Sequence, residues 1–291
     1  MSYKKALIRL LDRPGGRSLL GRAATYFLRK EANGDFEVTY LDGLWTRRVG
    51  HDYFPDSVRF DYTYPDFNSW MNQANACVTQ TADFWFPYYR PAKGDVIIDV
   101  GAGRGEDTLT FSRAVGETGR VIAIEAHPLS FAILKNFCRL NGLNNVTALH
   151  VALMDKPGTV RIIESAGDWV ENAVDNGGGA SGIRVRAGTL DDICQEQGVR
   201  DIDFLKMNIE GAERFALLGM LSVLPGVRNI CVACHDFRWE SGHGEQFRTR
   251  AFVEEFLVEQ GFEIKSRKDD PRKYVRDHVY GLSSRAHNSE N

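Results

Sequence analysis

From residue 95 the chain falls into a repeating rhythm of apolar runs and helically spaced segments. "DVIIDVG" is a short apolar run that closes on glycines, and "EDTLTFSRAVG" after it has helical spacing. "RVIAIEA" reads as a strand, "PLSFAILKNFCRLNGL" as a helix ending at Asn141-Gly142, and "NVTALHVAL" as one further strand. The same order resumes with "IDFLKMN", "GAERFALLGMLSVL", "VRNICVACH", a helix over 247–260 and the strand "FEIKSR", with "DHVYGLSS" as a last strand. Strands alternating with helices in this way predict an α/β domain with a mostly parallel sheet and helices on both faces. "GTVRIIES" and "GIRVRAGT" flank "DNGGGASG" and predict a hairpin inserted at the sheet edge, its glycine-rich tip at 175–182.

Ahead of that domain the pattern differs. Residues 3–12 and 18–29 read as two short amphipathic helices broken by "RPGG", and "DFEVTYLDGLWTRRV" alternates like a hairpin about Asp42-Gly43. Twelve aromatic residues crowd 53–89, among them Trp70, Phe84, Trp85, Phe86, Tyr88 and Tyr89. They predict packing between this extension and the main domain, with a substrate wall as the lesser reading. The boundaries are 1–92 for the extension, 93–284 for the main domain and 285–291 for a polar, disordered tail.

Charge adds one feature. The net charge is -3, which gives no global sign of a nucleic-acid partner, yet residues 1–30 hold eight Lys and Arg against Asp12 alone. That basic arm reads either as a solvated helical face or as a weak peripheral contact for an anionic surface or acidic partner. No apolar run approaches the ~20 residues of a membrane span, and charges interrupt any secretory core at the start. Five scattered cysteines read as free thiols in a reducing cytoplasm. Cys231-Val-Ala-Cys234-His235 matches a haem-attachment pattern. On a strand, however, residues three apart face opposite ways, so both thiols cannot reach one porphyrin.

The chemistry gathers where strands end. "VIIDVGAGRGEDT" sets Asp99 near a strand end, then Gly101, Gly103 and Gly105, then a helix; Glu125 closes the next strand. A carboxylate there accepts hydrogen bonds from ribose hydroxyls at the ligand-binding edge of an open α/β sheet. A dinucleotide fold wants G-x-G-x-x-G and a phosphate on the helix N-terminus. Here the spacing is G-x-G-x-G, and Glu106 and Asp107 would repel a diphosphate. They favour a ligand with a cationic end, such as S-adenosylmethionine. At the later strand ends, His235 is the candidate general base, with an ordinary pKa near 6.5. Asp236 is a weak candidate to orient its ring, and Asn208 and Glu210 are candidates to hold the substrate. A divalent cation on these groups is the lesser reading, and no metal is assigned. Glu213 reads as a substrate contact or a helix-stabilising acid, and Lys206 as salt-bridged to a neighbouring strand. His127 is a loop residue or a cofactor contact, and the His243 loop a candidate lid.

"VIIDVGAGRGEDTLTFS", "VIAIEAHP", "TLDDI" and "IDFLKMNIEGAE" resemble the FkbM-type family of S-adenosylmethionine-dependent methyltransferases over about residues 93–265. Lys206 to Glu213 matches the family's K-x-D-x-E-G-x-E pattern, with Asn208 in place of the aspartate. The resemblance implies a Rossmann-like class I methyltransferase sheet, seven-stranded and mostly parallel, whose last two strands form an antiparallel hairpin. By position it implies that Gly101, Gly103, Asp107 and Glu125, with Asp99 at the strand end, hold the cofactor, and that Ala126 and Ala152 flank the adenine. The expected activity is O-methylation of a small-molecule hydroxyl, on a sugar or secondary metabolite. A nucleotide-dependent oxidoreductase and a non-catalytic scaffold binding a partner remain as alternatives. The residues assign no oligomeric state.

Overall fold

The rhythm that starts at residue 95 builds one seven-stranded sheet of order β13-β14-β12-β11-β4-β5-β6. Its strands are β4 (Val96–Val100), β5 (Arg120–Glu125), β6 (Val146–His150), β11 (Ile202–Met207), β12 (Val227–Ala233), β13 (Phe262–Ser266) and β14 (His278–Ser283). β12, β11, β4, β5 and β6 run parallel, while β14 lies antiparallel between β12 and β13. The computed structural model describes residues 3–29, 35–60, 79–163, 173–175 and 182–283. The tail at 285–291, Trp70, Cys77 and most of the glycine-rich tip lie outside those residues.

Apolar runs rather than strict alternation form these strands because both sheet faces are covered. On one face Ile98, Val100, Leu205, Met207, Ile230 and Val232 pack with residues of helices over Leu190–Gln197 (α5), Glu213–Leu218 (α6) and Arg250–Glu259 (α8). On the other, Ile97, Val121, Phe204 and Cys231 meet Phe111 and Val115 of α3 (Glu106–Val115) and Trp85 and Tyr89 of the aromatic segment. Neighbours such as Ile97 and Ile98 thus serve opposite cores, as a period of two demands. Cys231 and Cys234 likewise fall into different cores, which leaves the haem pattern without a haem geometry. α4 (Pro128–Leu140) starts on Pro128 and stops at Asn141. α5 is opened by Thr189, whose hydroxyl accepts from the Asp192 amide at 3.0 Å.

The extension carries its own sheet. β1 (Phe36–Leu41) and β2 (Leu44–Val49) form the hairpin expected at Asp42-Gly43, where both central residues have positive φ. A third strand, β3 (Asp52–Ser57), pairs with β2; Pro55 and the aromatic crowd obscure it in the sequence. α1 (Tyr3–Leu11) and α2 (Arg17–Arg29) cover this sheet around Ile8, Leu20, Phe36, Val38 and Trp45. β3 fastens it to the main domain: the Tyr53 amide donates to Asn141 Oδ1 at 2.9 Å, and Phe54 packs edge-on to Phe137. Phe84, Trp85, Phe86 and Tyr89 belong instead to the core of the main sheet, whereas Tyr88 is exposed.

The expected edge hairpin needs correction. β8 (Gly158–Ile163) and β10 (Ile183–Gly188) are antiparallel, but with β7 (Ala152–Leu153) and β9 (Ala173–Asp175) they make a separate sheet of order β7-β10-β8-β9. "NVTALHVAL" is two strands for the same reason. The chain leaves β6 at Val151, whose amide donates to the Glu125 carbonyl at 3.2 Å, and β7 then pairs with β10.

At the centre, Lys206 of β11 stands directly opposite Asp99 of β4. The pair is 2.8 Å apart, and the two residues are 1% and 0% exposed. Asp99 uses its second oxygen to accept from the Thr108 hydroxyl at 2.6 Å, and Lys206 also donates to the Gly101 carbonyl at 2.8 Å. Burial works against the Lys206 charge, but the charges of Asp99 and Asp107 outweigh it and hold its pKa above the ordinary value. Breaking such a pair strands a buried charge. Lys206→Met should therefore cost about 3–5 kcal/mol in denaturant unfolding, and adding Asp99→Leu should restore a large part of it. Burial also raises the pKa of the Cys194 thiol to about 12 and those of Cys231 and Cys234 well above the usual range. These three should resist a thiol reagent at neutral pH until the chain is unfolded, as mass spectrometry of labelled peptides would report.

Candidate active site

β4 ends at the point where the sheet's connections diverge, with β5 on one side and β11 on the other; ligands of open α/β sheets bind at such a point. The turn that follows β4 is shaped from two sides. Gly101 has φ +74, and a Cβ there would lie 1.9 Å from the Asn208 carbonyl oxygen, so only glycine lets the ends of β4 and β11 meet. Gly103 has φ +58 and nothing within 4 Å of where its Cβ would be. Its amide donates to Glu125 Oε2 at 2.8 Å, and the His127 amide donates to Oε1 at 2.7 Å. Burial raises the Glu125 pKa, those two amides offset part of the rise, and the result is about 7.

The turn presents acids, not cations. Glu106 and Asp107 open α3. Asp107 accepts from the Thr81 hydroxyl at 2.6 Å and lies 3.8 Å from Lys206. Arg104, the basic residue of the turn, is paired with Asp56 at 2.5 Å. An open glycine turn, a buried carboxylate at the next strand end and acids at the helix start fit an adenosine bearing a cationic group and do not fit a diphosphate.

On the other side of Gly101, the ends of β11 and β12 build a charged chain. Glu213, 0% exposed, meets His235 Nδ1 at 2.9 Å, and Glu210 meets Nε2 at 3.1 Å. Arg238 donates to the other oxygen of Glu210 at 2.7 Å and lies over the Phe247 ring. Glu210 adopts φ +52, a conformation that side chains rarely take. The ion pairs on both of its oxygens hold it there. Asn208, half-buried, has an Oδ1 with no hydrogen-bond partner among the described residues.

This chain corrects the expectation of a free base. Burial alone would lower the His235 pKa, but hydrogen bonds to Glu210 and Glu213 and their charges outweigh it and raise it to about 10. At neutral pH His235 is an imidazolium with both nitrogens engaged, so it neither accepts a proton nor offers a lone pair to a cation. Among the described residues, no group of three His, Cys, Asp or Glu side chains is placed to hold a metal ion. Asp236 does not orient the ring; it accepts from the Thr249 and Arg250 amides at the start of α8. Glu213 orients the ring and, fully buried, lines no open space.

Other candidates find their places. Asp99 acts on the turn from beneath, through Lys206 and Thr108, and has no exposed surface. Ala126 is half-buried, whereas Ala152, 2% exposed, packs with Ile162 and Val185 instead of lining an open slot. His127 caps α4 by accepting from the Ser130 amide. His243 bonds the Arg238 carbonyl at 3.1 Å. Sequence reasoning missed Thr81, Thr108 and Arg238. Arg238 alone left a local trace, three residues after His235, the residue that precedes the short helix holding Arg238 (Asp236–Glu240, α7).

The methyltransferase FkbM domain model matches residues 99–264, from Asp99 into β13. A methyltransferase of Sordaria araneosa, sdnD, is 28% identical over 207 residues, which are 58% of this chain and 73% of that protein. The crystal structure of a methyltransferase FkbM from Methylobacillus flagellatus KT aligns with 17% identity and a TM-score of 0.49. That alignment covers 69% of this chain but 48% of the other, so the chain spans about half the length of that relative. Fibrillarin of Aeropyrum pernix, solved with natively bound S-adenosyl-L-methionine, aligns with 14% identity and a TM-score of 0.45 over 86% of this chain and 100% of the other. With more than half of its residues inside the matched domain, the chain belongs to the FkbM family of methyltransferases.

Proposed function

We propose that the chain transfers the methyl group of S-adenosylmethionine to a hydroxyl of a small molecule, a sugar or secondary metabolite. The observation that carries this reading is the row of acceptors at the end of β11. Asn208 Oδ1 has no donor among the described residues, and Glu210 stays ionised because His235 and Arg238 outweigh the upward push of burial and lower its pKa. A hydroxyl-bearing substrate brings the donor that Asn208 Oδ1 lacks, and each Glu210 oxygen keeps a further lone pair to accept from one. Across Gly101, Glu125 and the open face of Gly103 would hold the adenosine, and Glu106 and Asp107 suit its charged end.

When bound, the cofactor supplies a methyl group on a positively charged sulfur, a good leaving group. The protein's task is then to position the acceptor and receive one proton. Glu210 is a weak base, but a hydroxyl oxygen that has gained a methyl group is a far stronger acid than a carboxylic acid. A carboxylate held at the oxygen is therefore basic enough. His235 and Glu213 fix Glu210 in place, and Arg238 keeps its second oxygen from turning away.

Glu125→Ala should weaken S-adenosylhomocysteine binding by about 1.5–3 kcal/mol in titration calorimetry, the scale of a lost charged hydrogen-bond acceptor. In the unsubstituted protein that affinity should strengthen as pH rises through about 7, when Glu125 ionises, and Glu125→Gln should abolish the dependence. Glu210→Gln should keep cofactor affinity and lower turnover by about 10²–10⁴-fold; full turnover would remove Glu210 from the chemistry. At saturating cofactor the rate should show no titration near pH 6.5 and should fall only as pH approaches about 10, where His235 loses its proton. Stability should follow the same sign. A histidine whose pKa is raised on folding contributes fully below its unfolded value and loses that contribution as pH climbs through the folded one.

A further inference from the structure

The two leading helices bury one side on the extension's sheet and leave another side uncovered. Among the described residues, eleven large hydrophobic side chains are more than a third exposed, and five of them lie on α1 and α2. On α1 these are Leu7 at 56% and Leu10 at 61%, one turn apart. On α2 they are Leu19 at 60%, Tyr26 at 59% and Phe27 at 67%; the spacing i, i+7, i+8 sets them on one flank. Ile8, Leu20 and Leu28 already supply the contacts to the sheet, so the exposed set is surplus to the fold's own core.

Positive charge accompanies this apolar flank. Arg9, Arg13, Arg22 and Arg29 are exposed on or between the same helices. Arg17, Arg22 and Arg29 line an open cavity of about 1010 Å³ between α2 and β1, along with Tyr26, Tyr40 and a single acid, Glu37. Asp12, the sole acid of residues 1–30, is consumed within the fold: it accepts from Arg17, the Trp45 indole and the Phe60 amide. No helix among the described residues is long and apolar enough to cross a membrane.

We infer that α1 and α2 form a docking surface for an anionic lipid bilayer, lying on it without spanning it. Leucine, phenylalanine and tyrosine enter the boundary between headgroups and acyl chains, and the arginines beside them meet the lipid phosphates. A bilayer needs neither a shaped pocket nor a defined partner sequence. It asks only for short helices with an apolar flank beside a cationic one, which α1 and α2 supply. The arrangement places the attachment on the extension, apart from the residues that bind cofactor and acceptor.

The test is flotation of the full chain with vesicles of phosphatidylcholine alone or with one-third phosphatidylserine. Binding should require the anionic lipid and should weaken in 1 M salt, where the screening length falls from about 10 Å at 0.1 M to about 3 Å. Leu19→Ser with Phe27→Ser, and separately Arg13→Glu with Arg22→Glu, should each lower binding by about tenfold or more. Both pairs are exposed, and an unchanged unfolding midpoint would verify that they fold. Absence of binding in low salt, equal binding to neutral vesicles, or wild-type binding by both variants would overturn the inference. Light scattering that shows a dimer lost in the serine variant would also overturn it, by assigning the face to a second copy. Turnover on a soluble acceptor should be unchanged in both variants, so failure of this inference is separable from failure of the methyltransferase reading.

Discussion

One carboxylate organises the proposed cofactor side of this protein. Asp99 meets Lys206 from the neighbouring strand and Thr108 from the helix that follows the glycine turn, so a single side chain joins β4, β11 and α3. The lysine spends a second hydrogen on the Gly101 carbonyl and thereby pins the turn itself. Two charges at the centre of a sheet are expensive to desolvate, and the arrangement is stable only because each has an oppositely charged partner and a further hydrogen bond. The strand end that carries Asn208 and Glu210 takes its position from this crossing.

The proposed substrate side follows a different electrostatic logic. Glu210, Glu213, His235 and Arg238 form a row of alternating charge that sums to neutrality when the histidine is protonated. Such a row keeps His235 protonated, because removing the imidazolium charge would leave Glu210 and Glu213 uncompensated in a poorly hydrated place. The result is a fixed scaffold for one carboxylate at the rim, in which the histidine anchors and does not accept a proton. The positive φ of Glu210 belongs to the same design: an unfavoured backbone conformation persists where side-chain contacts on both oxygens outweigh its cost.

Much of this was legible in the chain. Apolar runs ended by glycines gave the parallel strands, Asp42-Gly43 gave the hairpin, and Asn141-Gly142 gave the end of α4, because each depends on residues adjacent in sequence. The salt bridge of Lys206 was legible too, since an ammonium inside a strand has few alternatives. What could not be read depends on partners brought from afar. Glu213 lies 22 residues before the ring it holds, so the protonation of His235 is invisible in "CHDF". β3 carries a proline and loses its alternation among aromatics. β7 is two residues long and exists only because β10 arrives beside it.

The two glycines of the cofactor turn differ in what they protect. Gly101 is pressed against a carbonyl of the adjacent strand, so any side chain there would push the sheet's two halves apart before a ligand is involved. Gly103 faces open space, and in the proposed cofactor site it answers to the guest and not the architecture. Natural variation should accordingly be closed at the first position in every member that keeps this crossing. At the second it tracks whatever small molecule a given descendant has come to carry.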